Sequence, residues 1–412
     1  MRNIGLIFLA NAFNNAAMFT ANVIVARRYS QEEFGLISLA VTIAFTSFSI
    51  SEFGMSLTMI RLYKLHMQNK NRSAAVLACN LYFKLVVVIL LISVAIIFSQ
   101  GVSHLFSETD GYGLIVGIAL VTGGVLGLWS YAKAFFQIHD RFHEIAILTV
   151  GCAALRLLIV GGIVILPFSL VPESIFTMIY LVPLLLILIY AYTVISRVLN
   201  KTEVACSELF DAIRESLNYS KWVAASGITF ILIQHSVIFM TAVLGDLKQV
   251  ALLNAALLFV SVFSLLNDSW QQVAFPKIAA LSKENLALYR SKVFRILPWF
   301  LLLSVLIITA LSWIMTSVLG AQYRDSLLLF IVASAGAAMT IAIGFFSVLM
   351  HSIRRPEISF YVNLVTLAMV ILIGAVLMVK IGLLGLICWY AFSMVVGEFV
   401  KSLLINKRVR MV

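Results

Sequence analysis

Residues 145–166 read IAILTVGCAALRLLIVGGIVIL, and the one charged side chain among them is Arg156. A helix crossing a bilayer needs about 20 predominantly apolar residues, and this run supplies them. A cation at the centre of such a span costs roughly 2.5–3.5 kcal/mol on the insertion scale. That cost is tolerated where the charge faces a wet cavity or a partner. The stretch therefore predicts a membrane helix and, within it, a cation kept for a purpose.

The rest of the chain agrees with a membrane reading. Of 412 residues, 62% are hydrophobic and 11% charged. Globular domains are nearer 45–50% apolar and ~25% charged. A mean hydropathy of +1.06 excludes a soluble fold. Twelve spans can be drawn, at about 4–26, 36–60, 75–98, 113–136, 145–166, 174–195, 220–244, 250–275, 296–319, 326–350, 358–379 and 383–404. The first is read as an uncleaved span and not a signal peptide, because Asn11, Asn14 and Asn15 interrupt its apolar run.

The net charge of +11 is read as a topology signal, not as a nucleic-acid footprint. With the N-terminus inside, inner segments hold twenty of the 29 lysines and arginines and outer segments five. The other four, Lys84, Lys133, Arg156 and Lys401, lie within spans. Such a bias is the positive-inside pattern. It predicts a multi-pass membrane protein with both termini cytoplasmic. Of the four cysteines, Cys79, Cys152 and Cys388 fall in spans and Cys206 in an inner loop, so neither a disulfide framework nor a metal site is expected. No cofactor is expected, and no phosphate-binding Gly-rich motif suggests ATP hydrolysis.

The chain divides into an N-terminal six-helix lobe, 1–195, a linker, 196–219, and a C-terminal six-helix lobe, 220–412. In the linker, Leu209, Phe210, Ile213 and Leu217 follow helical spacing between Glu208, Asp211, Arg214 and Glu215. That predicts a short amphipathic helix at the inner interface. The halves also share a charge pattern. Glu52 and Arg61 match Asp268 and Lys277 at one offset of 216, and Arg141 and Glu144 match Arg354 and Glu357 at 213. Six spans per half make the repeat parallel, a pseudo-two-fold along the membrane normal. The expected fold is thus all-α and polytopic, with the substrate path between lobes.

Polar residues inside spans are the candidate binding groups. Arg156 and Lys84 lie near mid-depth. Lys133 lies near the inner end of span four, where it can either snorkel or face a cavity. Asn11, Asn14, Asn15 and Asn22 fall within about a third of the first helix's circumference, as packing contacts or as cavity lining. Gln234 and His235 occupy the middle of span seven. Arginine offers phosphate a planar bidentate fork, lysine a point charge. Deep cations therefore suit an anionic substrate such as a phosphate-bearing lipid headgroup. Glu52, Arg61, Asp268 and Lys277, recurring at the ends of spans two and eight, are candidates for coupling and gating.

The stretch Ala26-Arg27-Arg28-Tyr29-Ser30-Gln31-Glu32-Glu33-Phe34-Gly35-Leu36, then Glu52-Phe53-Gly54 and Ile60-Arg61, resembles the polysaccharide biosynthesis (O-antigen flippase, Wzx-type) proteins. Phe275-Pro276-Lys277-Ile278 is similar to the same family, although a proline common near the start of span seven is replaced here by Lys221-Trp222. The resemblance implies the multidrug/oligosaccharidyl-lipid/polysaccharide (MOP) exporter superfamily and a MATE-like fold. It implies a non-enzymatic flippase of lipopolysaccharide biosynthesis that moves an undecaprenyl-diphosphate-linked oligosaccharide outward by alternating access. Implied partners are that substrate, membrane lipids, and the polymerase and chain-length regulator of the pathway, with no nucleic acid. Two alternatives stay open: a MATE-type drug or cation antiporter, which should expose acidic residues, and a membrane-embedded glycan polymerase, which usually needs a large outer loop.

Overall fold

The computed structural model describes residues 2–104, 113–165, 170–199, 206–279, 283–347 and 356–411. All regular structure among them is helical, and twelve helices are long and apolar enough to cross a membrane. The chain is a multi-pass membrane protein. It forms two compact units, Met1–Ile228 and Thr229–Val412.

In the first unit the spans are α1 (Arg2–Arg28), α2 with α3 (Gln31–Glu52, Met55–Leu65), α4 (Lys70–His104), α5 (Gly113–Ile138), α6 (Phe142–Ile165), and a sixth built of three pieces. Those pieces are α7 (Pro172–Phe176), a π-helical turn (Thr177–Leu181) and α8 (Val182–Leu199). The second unit contains the end of α9 (Cys206–Leu244), then α10 (Leu247–Ala279), α11 (Lys283–Leu319), α12 (Ser326–Ser347), α13 (Pro356–Ile381) and α14 (Leu383–Met411).

The pairing of helices repeats between the units. In the first, span four packs on spans two, three and six, span five on six, and span one on five. In the second, span ten packs on eight, nine and twelve, and span eleven on twelve. Gly245 of span seven sits against Met378 of span eleven, completing the correspondence. Every pair shifts by six spans, which is the parallel repeat expected from the charge pattern.

Without a hydrophobic force between helices in lipid, close packing needs small residues. Gly123 and Gly127 of α5 meet α2 where a Cβ would fall 2.5 Å from Ser47 Cβ and 2.7 Å from Ser51 Oγ. The outward faces are apolar instead: Leu158, Ile165 and Trp313 are among the most exposed side chains. Ser30 starts α2 with a capping box, accepting from the Glu33 amide while the Glu33 carboxylate accepts from the Ser30 amide. Arg28 donates to the Val164 carbonyl at 2.8 Å, satisfying one of the last acceptors of α6.

Two features differ from expectation. The amphipathic segment around Leu209–Leu217 is not a separate helix. It is the first part of the 39-residue α9, because residues 218–223 contain neither proline nor glycine to stop it. Span two, drawn as one helix, is broken: Phe53 and Gly54 both adopt left-handed backbone, with φ 41° and 66°. Glycine takes that conformation at little cost and Phe53 does not. Trp270 stands at the equivalent of Gly54 in the second unit, and α10 runs through it unbroken.

Candidate functional site

The break in span two sets the first part of the site. A helix ends with four carbonyls and begins with four amides that lack helical partners. Lys84 of α4 supplies donors to one side of the gap. Its ammonium reaches the carbonyls of Ser51 (3.1 Å) and Glu52 (3.4 Å) at the end of α2. Glu52 supplies an acceptor to the other side, taking the Ser56 amide at 3.0 Å. The two side chains meet at 2.6 Å. Each charge thus lies where the helix dipole favours it, cation at a C-terminus and carboxylate at an N-terminus. Lys84 is 1% exposed, and its pairing is what makes that burial tolerable. Gly127 lets α5 approach this point, since a Cβ there would lie 2.7 Å from Ser51 Oγ and in ordinary contact, 3.7 Å, with the Lys84 chain. Gly54 packs against Ser220 and Ala224 of α9, which brace the break.

Arg156 forms the second part. Pro183 has no amide hydrogen, so the carbonyl four residues earlier, Ile179, loses its helical donor. The chain answers with a π turn, in which the Val182 amide bonds back to Thr177. Arg156 Nε donates to the freed Ile179 carbonyl at 3.1 Å. Its Nη1 donates to Asn14 Oδ1 of α1 at 3.2 Å, and Nη2 lies 3.9 Å from Cys152 Sγ. Below it on the same seam, the Tyr180 hydroxyl donates to Asn22 Oδ1 at 2.9 Å, and the Asn22 amide donates to Met18. Every partner of Arg156 is neutral, and the residue is 4% exposed.

Lys133 is the third cation. It lies over the Trp129 ring, 5.7 Å from the centroid, one helical turn away on α5. It is within electrostatic range of Glu52 and of Cys152, and Cys152 in turn is within range of Arg156. Among the described residues Lys133 has neither a hydrogen bond nor an ion pair. The seam therefore runs from the span-two break through Lys133 and Cys152 to Arg156. Of the three cations, Lys84 is paired with the carboxylate of Glu52 and Arg156 is held by neutral groups.

The remaining candidates are dispersed. Asn11 is exposed and Asn15 half-buried, and neither has a hydrogen bond among the described residues. Arg61 is exposed at the far end of α3. In the second unit Gln234 is half-buried, and His235 lies edge-on to Phe239 at 6.5 Å. The side chains of Asp268 and Lys277, and residue Arg354, lie outside the described residues. Glu398 and Lys401 pair at 3.2 Å, and Arg141 with Glu144 at 2.7 Å.

Sequence reasoning did not put Glu52 and Lys84 together, because they are 32 residues apart on different helices. It also passed over Pro183, the signal from which a free Ile179 carbonyl could have been read. The spacing of Trp129 and Lys133, four apart on one helix, was equally readable.

Comparison with known proteins fits this architecture. The family described as Polysaccharide biosynthesis protein matches residues 1–282. The chain belongs to that family. Among solved structures, an inward-facing multidrug resistance MATE family transporter of the MOP superfamily aligns with a TM-score of 0.74. That alignment covers 97% of this chain and 95% of the other at 11% identity. The Vibrio cholerae MATE transporter VcmN in its bent form aligns at 0.60, with 11% identity over 100% and 97% of the two chains. A MATE protein in its straight conformation gives 0.58, with 13% identity over 100% and 95%. Among curated proteins none matches in sequence. The fold is that of MATE transporters, and family and fold together are those of transporters and flippases.

Proposed function

We propose that this protein is a flippase for a lipid-linked oligosaccharide whose headgroup carries a diphosphate, moved from the cytoplasmic to the outer leaflet of a bacterial inner membrane. The observation that carries the reading is the pair Arg156 and Lys133, two intramembrane cations without an ion-pair partner among the described residues. Charges at that depth are kept for substrates or for partners. A diphosphate supplies the missing anion. Arg156 is held by neutral acceptors that orient its guanidinium without cancelling its charge, and Lys133 adds a point charge. Inward- and outward-open states would alternate. The Glu52–Lys84 pair at the helix break is a candidate coupling element, because protonating Glu52 would leave Lys84 without its counter-ion.

A multidrug transporter has the same fold, so export of a cationic drug is the second reading. It calls for an uncompensated deep carboxylate. In the first unit the deep carboxylate, Glu52, is already paired with Lys84. The test is complementation of a flippase-deficient strain with Arg156→Ala, Arg156→Lys and Lys133→Ala at matched expression. The flippase reading expects both alanine variants to lose most surface polysaccharide and Arg156→Lys to retain part of it. Full display by both alanine variants would overturn it.

A further inference from the structure

The end of the first unit where α3 stops and α9 starts carries an open groove of about 580 Å³. That is within the roughly 300–1,000 Å³ of small-ligand sites. Arg61, Arg72 and Arg214 line it together with Asn218, and two acids, Asp211 and Glu215, share the wall. Glu215 is committed elsewhere: its carboxylate accepts from Arg72 at 3.3 Å and lies 3.1 Å from His66 Nε2. The Arg72 Nε is buried without a hydrogen-bond partner. Arg214 is exposed and makes no hydrogen bond or ion pair among the described residues, and Asn218 stands one turn further along the same face of α9.

We infer that this groove binds a phosphate group, with Arg214, Arg61 and Asn218 as the contacting donors and Arg72 held behind them by Glu215. Arginine forks match phosphate oxygens in geometry and charge. Basic pockets beside membrane helices take lipid headgroups in this manner. Leu65, 67% exposed on α3, lines the groove, and Phe210, 70% exposed, lies on the same stretch of α9. They give the site an apolar flank suited to the headgroup layer. The phosphate can come from a lipid headgroup or from a free diphosphate. The inference does not depend on the flippase reading, since none of the groove residues belongs to the Lys84–Arg156 seam.

The experiment uses the full-length protein in detergent and follows its melting temperature. One arm adds sodium diphosphate, a second adds phosphatidic acid to the micelles, and a third adds phosphatidylcholine as the control. Wild type should be stabilised by diphosphate, by phosphatidic acid or by both, and not by phosphatidylcholine. Stabilisation by diphosphate alone assigns a soluble ligand, and by phosphatidic acid alone a headgroup. Arg214→Gln should weaken the apparent affinity at least about tenfold, the loss of one charged hydrogen bond. Arg214→Lys should recover part of it. Because Arg214 has no hydrogen bond or ion pair to lose among the described residues, its ligand-free melting temperature should stay at the wild-type value. No stabilisation in either phosphate arm overturns the inference. So does a response that is identical in wild type and Arg214→Gln, including under a salt titration.

Discussion

Arg156 donates its Nε proton to the carbonyl of Ile179, the acceptor that Pro183 deprives of a helical donor. The same proline therefore interrupts the α-helical bonding of span six and creates the seat that holds the deep guanidinium. Pro183→Ala restores a competing amide. The expected outcome is a regular α-helix through 177–184, with slower hydrogen exchange there, and a several-fold drop in transport because Arg156 loses its orientation. Unchanged exchange in this segment would sink the account.

The Glu52–Lys84 pair should respond asymmetrically to substitution. Lys84 has no exposed side-chain surface, whereas Glu52 retains 21%. Glu52→Gln strands a buried ammonium and should destabilise by about 3 kcal/mol, in the range for breaking a buried pair. Lys84→Met leaves a carboxylate that is only partly buried and still caps Ser56, so it should cost less. The double variant should recover much of the loss. Thermal unfolding in detergent ranks the three, and a larger loss for Lys84→Met would contradict the assignment.

Glycine positions offer a packing contrast. A Cβ at Gly123 would lie 2.6 Å from the Ala44 carbonyl oxygen and 2.9 Å from the Phe48 amide nitrogen, backbone atoms that cannot turn aside. Gly123→Ala must push α5 away from α2 and should cost about 1–3 kcal/mol. A Cβ at Gly227, inside α9, meets nothing within 4 Å. Gly227→Ala should be neutral or stabilising by up to about 1 kcal/mol through helix propensity alone. Comparable melting temperatures for the two variants would argue against close α2–α5 contact.

Tyr180→Phe removes the donor to Asn22 in a buried site. The stranded amide oxygen should cost roughly 1–3 kcal/mol. Tyr180→Phe with Asn22→Ala should cost less than the sum of the two single changes, which a double-mutant cycle on unfolding reads directly.

Much of this architecture can be read from hydropathy, because twelve runs of apolar length leave few other solutions. The repeat was visible in two charge offsets, and the matching helix pairs carry it into three dimensions. The depths of Arg156 and Lys84 were also readable from position along a span. Their partners were not. Asn14 belonged to a visible polar stripe, but nothing in one dimension selects it over Asn11 or Asn15 as the group that meets Arg156. Glu52 and Lys84 are joined by the chain reversal between spans two and three, a contact that neither helix signals locally. The span-two break escaped notice because its second residue, Gly54, lies in an otherwise helical run, and its first, Phe53, is not a residue that announces left-handed backbone. The continuity of α9 was missed for the opposite reason: polarity alone was read as a boundary.

The partners of Arg156 also set a schedule for biogenesis. Asn14 is synthesised 142 residues before the arginine, and Ile179 follows it by 23. When α6 reaches the bilayer, Asn14 already waits in the membrane, whereas Ile179 follows later in the chain. Until the sixth span enters, the guanidinium has only the Asn14 amide and the Cys152 thiol beside it. Secure seating of the fifth span should therefore depend on the sixth following it into the bilayer with its π turn before Pro183.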